Sequence, residues 1–328
     1  MPENHATTLR AGATTPARKG SRRGDRHTPR DVSPGPRRRW RDHATGYLFV
    51  SPSVVGFLVF VLGPLVAVVY FSFTRYDVIT SPQWVGLDNY RRMLHDDRLH
   101  TVYGNTLLYV VAAVIFINGF ALTLAVLINQ GMPRPLQVIF RSVYFFPSLI
   151  SLVYISLIWQ ALFQHDTGLA NYYLGKAGID PVNWLSSISG SRWTVVIVDT
   201  WRNIGMAMLI YVAALQDVPK ELREAAEVDG AGPFAIFRRI TLPMISQAVF
   251  FNVTITVIGA FQIYESIIVL TSGGPGDSTR SVVMYLAEQA FSNYQIGYAS
   301  AIAITLFFII LVVTAIQFRI RRKWVVHE

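Results

Sequence analysis

SVVGFLVFVLGPLVAVVYFSF, residues 53–73, lies inside a run from Ala44 to Thr74 that carries no charge. A helix rises about 1.5 Å per residue and a hydrocarbon core is about 30 Å thick, so roughly 20 apolar residues cross a membrane. Apolar segments buried in soluble proteins usually stop near 10 to 14 residues. The stretch therefore reads as a membrane-spanning helix, and five more follow. NTLLYVVAAVIFINGFALTLAVLI (residues 105–128) and SVYFFPSLISLVYISLIWQALF (142–163) are uncharged. Residues 193–215 contain Asp199 and Arg202, residues 243–270 contain Glu265, and residues 298–318 contain no charge. With the first span placed at about 47–73, the expected fold class is an all-α membrane protein with six transmembrane helices.

Composition narrows the function. Hydrophobic residues make up 52% and charged residues 15%, against about 25% charge in soluble domains, and mean hydropathy is +0.37. The absence of cysteine removes disulfides, thiolate nucleophiles and Cys-based metal sites. No GxxxxGK[ST] phosphate loop and no HExxH pair occurs, so no catalytic residue, metal or cofactor bound by this chain is expected. The net charge of +9 is topological: 21 Lys and Arg fall on one side of the expected spans and seven on the other. Short cytoplasmic segments retain positive charge, so both termini are expected in the cytoplasm, with no nucleic-acid partner. Residues 1–46 hold runs such as RKGSRRGDR and read as a disordered basic tail, a topology determinant or a binder of anionic membrane lipid. A secretory signal is the rival reading, but the apolar stretch that follows is too long for an h-region. Residues 321–328 form a short cytoplasmic tail after a 47–320 permease domain.

Residues 216–244, QDVPKELREAAEVDGAGPFAIFRRITLPM, have their own grammar. Asp217 is placed to cap a helix starting near Val218 and Pro219, and Gly230 to end it. A second short helix can start at Gly232-Pro233, and Pro243 can open the fifth span. Leu222, Ala225 and Ala226 share a face of the first helix, suiting either a groove on another protein or the membrane surface.

The segment EAAEVDGAGPFAIFRRITLP, residues 224–243, resembles the signature of the transmembrane subunits of binding-protein-dependent ABC importers, the sugar permeases of the maltose-transporter type. WVGLDNY (84–90), VLTSGGPGDSTRSVVMYLAEQAF (269–291) and YQIGYASA (294–301) extend the resemblance over about 48–320. It implies a type I ABC importer transmembrane fold in the plasma (inner) membrane. The 216–242 loop would then dock into a separate ATP-hydrolysing subunit through Glu224, Ala225, Ala226, Asp229, Gly230, Ala231, Leu242 and Pro243. It also implies a second, non-identical permease, a dimer of ATP-binding subunits where ATP-Mg acts, and an extracytoplasmic sugar-binding protein near the 272–277 turn.

Ionisable groups at membrane depth line cavities or pair with each other. Asp199 and Arg202 are three residues apart, so an intrahelical ion pair is one reading and contact with sugar hydroxyls the other. The resemblance carries the sugar path to Asp199, Arg202, Asn203 and Met206 in the fourth span, and to Thr256, Gly259, Gln262 and Ile263 in the fifth. Asp199 and Arg202 depart from the amide and small residues usual there. Glu265 reads first as a helix-end carboxylate facing water or Arg280, and Trp159, Trp201, Phe261 and Tyr264 are candidates to stack on a sugar ring. The alternative function is a self-sufficient ion-coupled secondary transporter built on Asp199 and Arg202.

Overall fold

The computed structural model describes the backbone of residues 36–129 and 132–324. Chain contacts divide it into a unit ending at Leu58 and a larger unit from Val59 onward. The first unit contributes α1 (Pro36–Phe57), so the backbone is helical eleven residues ahead of the expected boundary at 47, while residues 1–35 of the expected tail lie outside the described residues. The larger unit follows with α2 (Gly63–Ser72), a two-stranded antiparallel ribbon of β1 (Thr74–Arg75) and β2 (Gln83–Trp84), α3 (Asp88–Met93), α4 (Asp97–Asn129), α5 (Arg134–Leu149), α6 (Leu152–Leu162) and α7 (Leu169–Lys176). Next come α8 (Ile188–Gln216), α9 (Lys220–Val228), α10 (Pro233–Ile236), α11 (Leu242–Met244), α12 (Ser246–Phe261), α13 (Glu265–Leu270), α14 (Val282–Ala287) and α15 (Ile296–Trp324).

Among the described residues four helices are long and apolar enough to cross a membrane: Tyr47–Ser72, Asp97–Asn129, Ile188–Gln216 and Ile296–Arg321. Two bent pairs bring the number to six if each is one span. Arg134–Leu149 and Leu152–Leu162 meet at 101°, and Pro233–Met244 and Ser246–Phe261 at 71°. The third and fifth spans, expected at 142–163 and 243–270, are thus interrupted helices, the 71° bend falling at Ile245 between α11 and α12. In the third, Pro147 sits in the last turn of α5, and Ile150 and Ser151 are extended before α6 begins. In the fifth, α12 stops at Phe261 and the chain restarts as α13 at Glu265. The Ile263 carbonyl at that break accepts a 2.6 Å hydrogen bond from Ser281 Oγ, and Ser281 Oγ in turn accepts from Met284 N to cap α14. One serine therefore ties the interrupted helix to the next element.

Prolines also leave their mark on helix geometry. The π-helical turns Leu58–Leu62 and Phe237–Thr241 contain the carbonyls of Phe60 and Arg239, whose ordinary donors would be the missing N–H groups of Pro64 and Pro243. A widened turn absorbs that lost bond without ending the helix.

The core forms where α4, α8, α12 and α15 meet. Along α4, Val110, Ala113, Ile117, Ala121, Ala125 and Ile128 are buried at spacings of three and four, a single helical face. Ala207, Met208, Tyr211 and Val212 of α8 pack against it with Val257 of α12 and Ala301 and Ile302 of α15. Small residues let the helix axes approach closely where lipid supplies no hydrophobic drive. At Gly205 a side-chain Cβ would lie 2.0 Å from the Tyr144 carbonyl oxygen, so α8 and α5 touch backbone to backbone.

Candidate functional site

A cavity of about 890 Å³ opens between α8 and α12, with α4, α6 and α14 behind it. Asp199, Arg202, Asn203 and Met206 line it from α8; Thr256, Gly259, Gln262 and Ile263 line it from α12 and the break that follows. All eight residues assigned from the sequence to the path thus border one space, and Met206, Gly259 and Gln262 are exposed along it. Residues not singled out as path residues complete the wall: Ile210 and Phe251, buried Asn252, Ile255, Tyr264 and Glu265. Of the four aromatic candidates only Tyr264 reaches the cavity. Trp159 and Trp201 pack edge to face at 5.5 Å, and Phe261 is buried in the core.

Two ionic contacts that the sequence allows do not form. Among the described residues no salt bridge joins Asp199 to Arg202. Asn203 instead donates its amide to the Asp199 backbone carbonyl at 2.8 Å, and the Arg202 Nε is shut off from solvent without a hydrogen-bond partner. Spacing three apart places two side chains on one face but does not fix their rotamers. Glu265 does not meet Arg280 either, because Arg280 binds Asp277 Oδ1 at 2.6 Å and also Glu288.

A polar thread fixes the helices behind the cavity. Tyr211 donates to Asn118 Oδ1 at 2.8 Å, Asn118 Nδ2 lies 3.3 Å from Thr256 Oγ1, and Asn252 Nδ2 donates to the Ala207 carbonyl at 3.0 Å. Buried amides at this depth are costly unless partnered, so these bonds hold α4, α8 and α12 in register. The amide in IFINGF was the sequence signal for Asn118, since a lone polar residue in an apolar span needs a partner.

On the far side of α8 the 216–244 segment folds as a helix, a corner and a second helix. Asp217 is not the cap of α9; it ends α8, and Pro219 precedes α9 with no side-chain hydrogen bond. The corner is a Schellman motif: Ala231 N bonds the Ala226 carbonyl at 2.9 Å and Gly230 N the Glu227 carbonyl at 3.0 Å, with Gly230 at φ +81°. No residue of α9 is buried, and Leu222, Val228 and Phe234 are exposed. Glu224, Ala225, Asp229 and Gly230 are exposed, Ala226, Ala231, Leu242 and Pro243 half-buried. Arg223 and Glu227 border a small cavity together with Val126 and Asn129 of α4, Leu215 of α8, and Ile236 and Phe237.

The opposite end carries a closed ring of charge. Arg98 binds Asp277 Oδ2 at 2.7 Å and Glu288 Oε1 at 2.7 Å, and Arg280 binds the same two carboxylates. Asn105 and Arg192 clamp the backbone of the same loop at Asp277, Ser278 and Arg280. The hydrogen bond from Arg98, against the opposing cost of burial and with help from Arg280, holds the Asp277 carboxyl below its ordinary 3.8. A carboxylate with a depressed folded pKa stabilises fully above its unfolded value and loses that contribution as pH falls through the folded one. Amide exchange of residues 271–281, corrected for intrinsic rate, is therefore expected to stay slow from neutral pH down to about 5 and to accelerate only below about 4. Acceleration already near pH 6 would contradict the clamp.

These features define a mostly helical membrane protein with a cavity between its helices, lined by polar and apolar residues, and an exposed helical corner at one end. Residues 117–326 match the family model for the binding-protein-dependent transport system inner membrane component. The chain is 36% identical over 293 residues to the probable ABC transporter permease protein YesP of Bacillus subtilis, covering 88% of this chain and 94% of that one. It is 36% identical over 288 residues to the arabinooligosaccharides transport system permease protein AraP of the same organism, covering 86% and 91%. Its fold is similar to a chain of the bacterial alginate ABC transporter solved in complex with alginate pentasaccharide-bound periplasmic protein, with a TM-score of 0.76 at 22% identity over 87% and 97% of the two chains. The chain belongs to the family of binding-protein-dependent transport system inner membrane components, the permease and not the catalytic parts of ABC importers.

Proposed function

We propose that the chain forms half of the translocation pathway of an ATP-driven importer of a sugar or sugar derivative. The observation that carries this reading is the connection between two features: α8 and α12 wall the cavity, and the exposed 216–244 corner is the covalent link between those helices. A push on α9 therefore reaches both walls directly. The partners are a second, non-identical permease closing the open side of the cavity, two ATP-binding subunits gripping Glu224, Ala225, Ala226, Asp229 and Gly230, and an extracytoplasmic binding protein meeting the clamped 271–281 loop. ATP hydrolysis lies in the partner subunits, and both termini face the cytoplasm of an inner membrane, as the Lys and Arg distribution supports. Alternating access follows as one packed arrangement of helices is exchanged for another. Arabinooligosaccharide transport in the AraP relative supports a saccharide as the cargo.

Affinity purification in mild detergent, after expression with the neighbouring genes, tests the assembly. A P-loop ATPase and a second permease are expected in the eluate, with ATP hydrolysis stimulated by a loaded binding protein. A chain that elutes alone and moves solute without ATP would instead establish the ion-coupled reading.

A further inference from the structure

We infer that Glu265 sets the charge selectivity of the cavity, so that this half of the path admits saccharides lacking anionic groups and turns away those bearing carboxylate or sulfonate. The inference rests on the proposed importer reading and names its substrate class. Among the described residues three charged ones line the cavity: Asp199, Arg202 and Glu265. None is in a salt bridge among the described residues. Asp199 and Arg202, opposite in sign and three residues apart on α8, add no net charge to the wall. Glu265 has no such counterweight. The cation expected to neutralise it, Arg280, is held by Asp277 and Glu288 in the outer ring. The cavity wall therefore carries one uncompensated negative charge.

The break in the fifth span puts that charge where it acts. Because the chain stops at Phe261 and restarts at Glu265, the carboxylate lies beside Gln262, Ile263 and Tyr264 on the cavity lining and is exposed there. Ile263, next to it in the break, and Leu152, Ile210, Phe251 and Ile255 elsewhere on the lining make the remaining wall largely apolar. Low dielectric strengthens repulsion between like charges. A neutral polyol meets the opposite situation, since each hydroxyl donates to a carboxylate and accepts from Arg202, Asn203 or Gln262. Tyr264 adds a face for a pyranose ring. A uronic acid loses the donor at its acidic carbon and brings a second negative charge.

The test uses the complex of this chain with its partner permease and ATP-binding subunits in lipid nanodiscs, without the binding protein, so that only the membrane path selects. Binding by calorimetry is compared for glucose with glucuronate, galactose with galacturonate, and cellobiose with cellobiouronate. Each neutral sugar is expected to bind at least tenfold more tightly than its acidic partner, and Glu265→Gln to shrink that ratio about tenfold. Asp199→Asn leaves Arg202 uncompensated and should also shrink it, by an independent route. Equal affinity within every pair in the wild type, or an unchanged ratio in Glu265→Gln with the complex intact, overturns the inference. Intact complex that binds none of the six sugars, and whose ATPase no saccharide-loaded binding protein stimulates, overturns the saccharide reading itself.

Discussion

In vesicles holding the assembled importer, Glu224→Lys is expected to abolish substrate uptake while the chain still inserts and folds. The reason lies in what Glu224 does and does not touch. It is exposed on α9, a helix with no buried residue, and its side chain takes part in no ion pair within the chain among the described residues. Lysine has nearly the same helix propensity as glutamate, so α9 and its Schellman corner should survive. A carboxylate paired with a partner cation is another matter, because losing one member of a desolvated pair costs about 2 to 5 kcal/mol. At about 3 kcal/mol the ATP-binding subunit would bind on the order of 100-fold more weakly. Gly230→Pro attacks the same junction through the backbone. Proline fixes φ near −65° and has no N–H, whereas Gly230 has φ +81° and donates to the Glu227 carbonyl. The corner would unwind, leaving α9 in place but misaligned with α10. Basal ATP hydrolysis by the partner should persist in both variants with uptake at background. Normal uptake in both, with ATPase still co-purifying, would remove the coupling role from the 216–244 segment.

How much of this was readable in advance depends on the range of the interaction concerned. The long spans were legible because 20 or more apolar residues report their own environment, and the Gly230 corner was legible because only glycine takes that φ cheaply. The break at Gln262–Tyr264 was not. FQIYE contains neither proline nor glycine, and the interruption is held by Ser281 Oγ reaching the Ile263 carbonyl from 18 residues away. The third span shows a partial case: Pro147 announces a disturbance, but the bend falls three residues later, where Ile150 and Ser151 become extended. Charge partners followed the same logic. The sequence leaves Glu265 facing water or Arg280, yet Asp277 and Glu288 hold Arg280 in a ring with Arg98, 182 positions earlier, that no local pattern reveals. The cavity residues emerged from a motif carried over by resemblance, while Asn252 and Phe251 became visible only when α12 was set against α8.

Two glycines of equal chemistry should behave oppositely, and the contrast measures how tightly the cavity's walls are set. Gly205 of α8 lies so close to α5 that an added Cβ would sit 2.0 Å from the Tyr144 carbonyl oxygen and 2.8 Å from the Phe145 Cα. Both are backbone atoms, which cannot rotate away as a side chain can. Gly205→Ala must therefore displace α5 from α8, and overpacking of this kind costs about 1 to 3 kcal/mol, more when the obstacle is rigid. The intrinsic gain of about 1 kcal/mol for alanine over glycine in a helix offsets only part of that. Gly259 of α12 meets nothing within 4 Å and borders the cavity. Gly259→Ala should keep the full helix gain, raise the thermal midpoint of the purified complex slightly and narrow the space left for cargo. Gly205→Ala is expected to lower that midpoint by several degrees and to reduce the yield of assembled complex severalfold. Equal midpoints for the two variants would mean that α5 is free to move away from α8, and that the 101° bend at Ile150–Ser151 is a hinge and not a fixed corner.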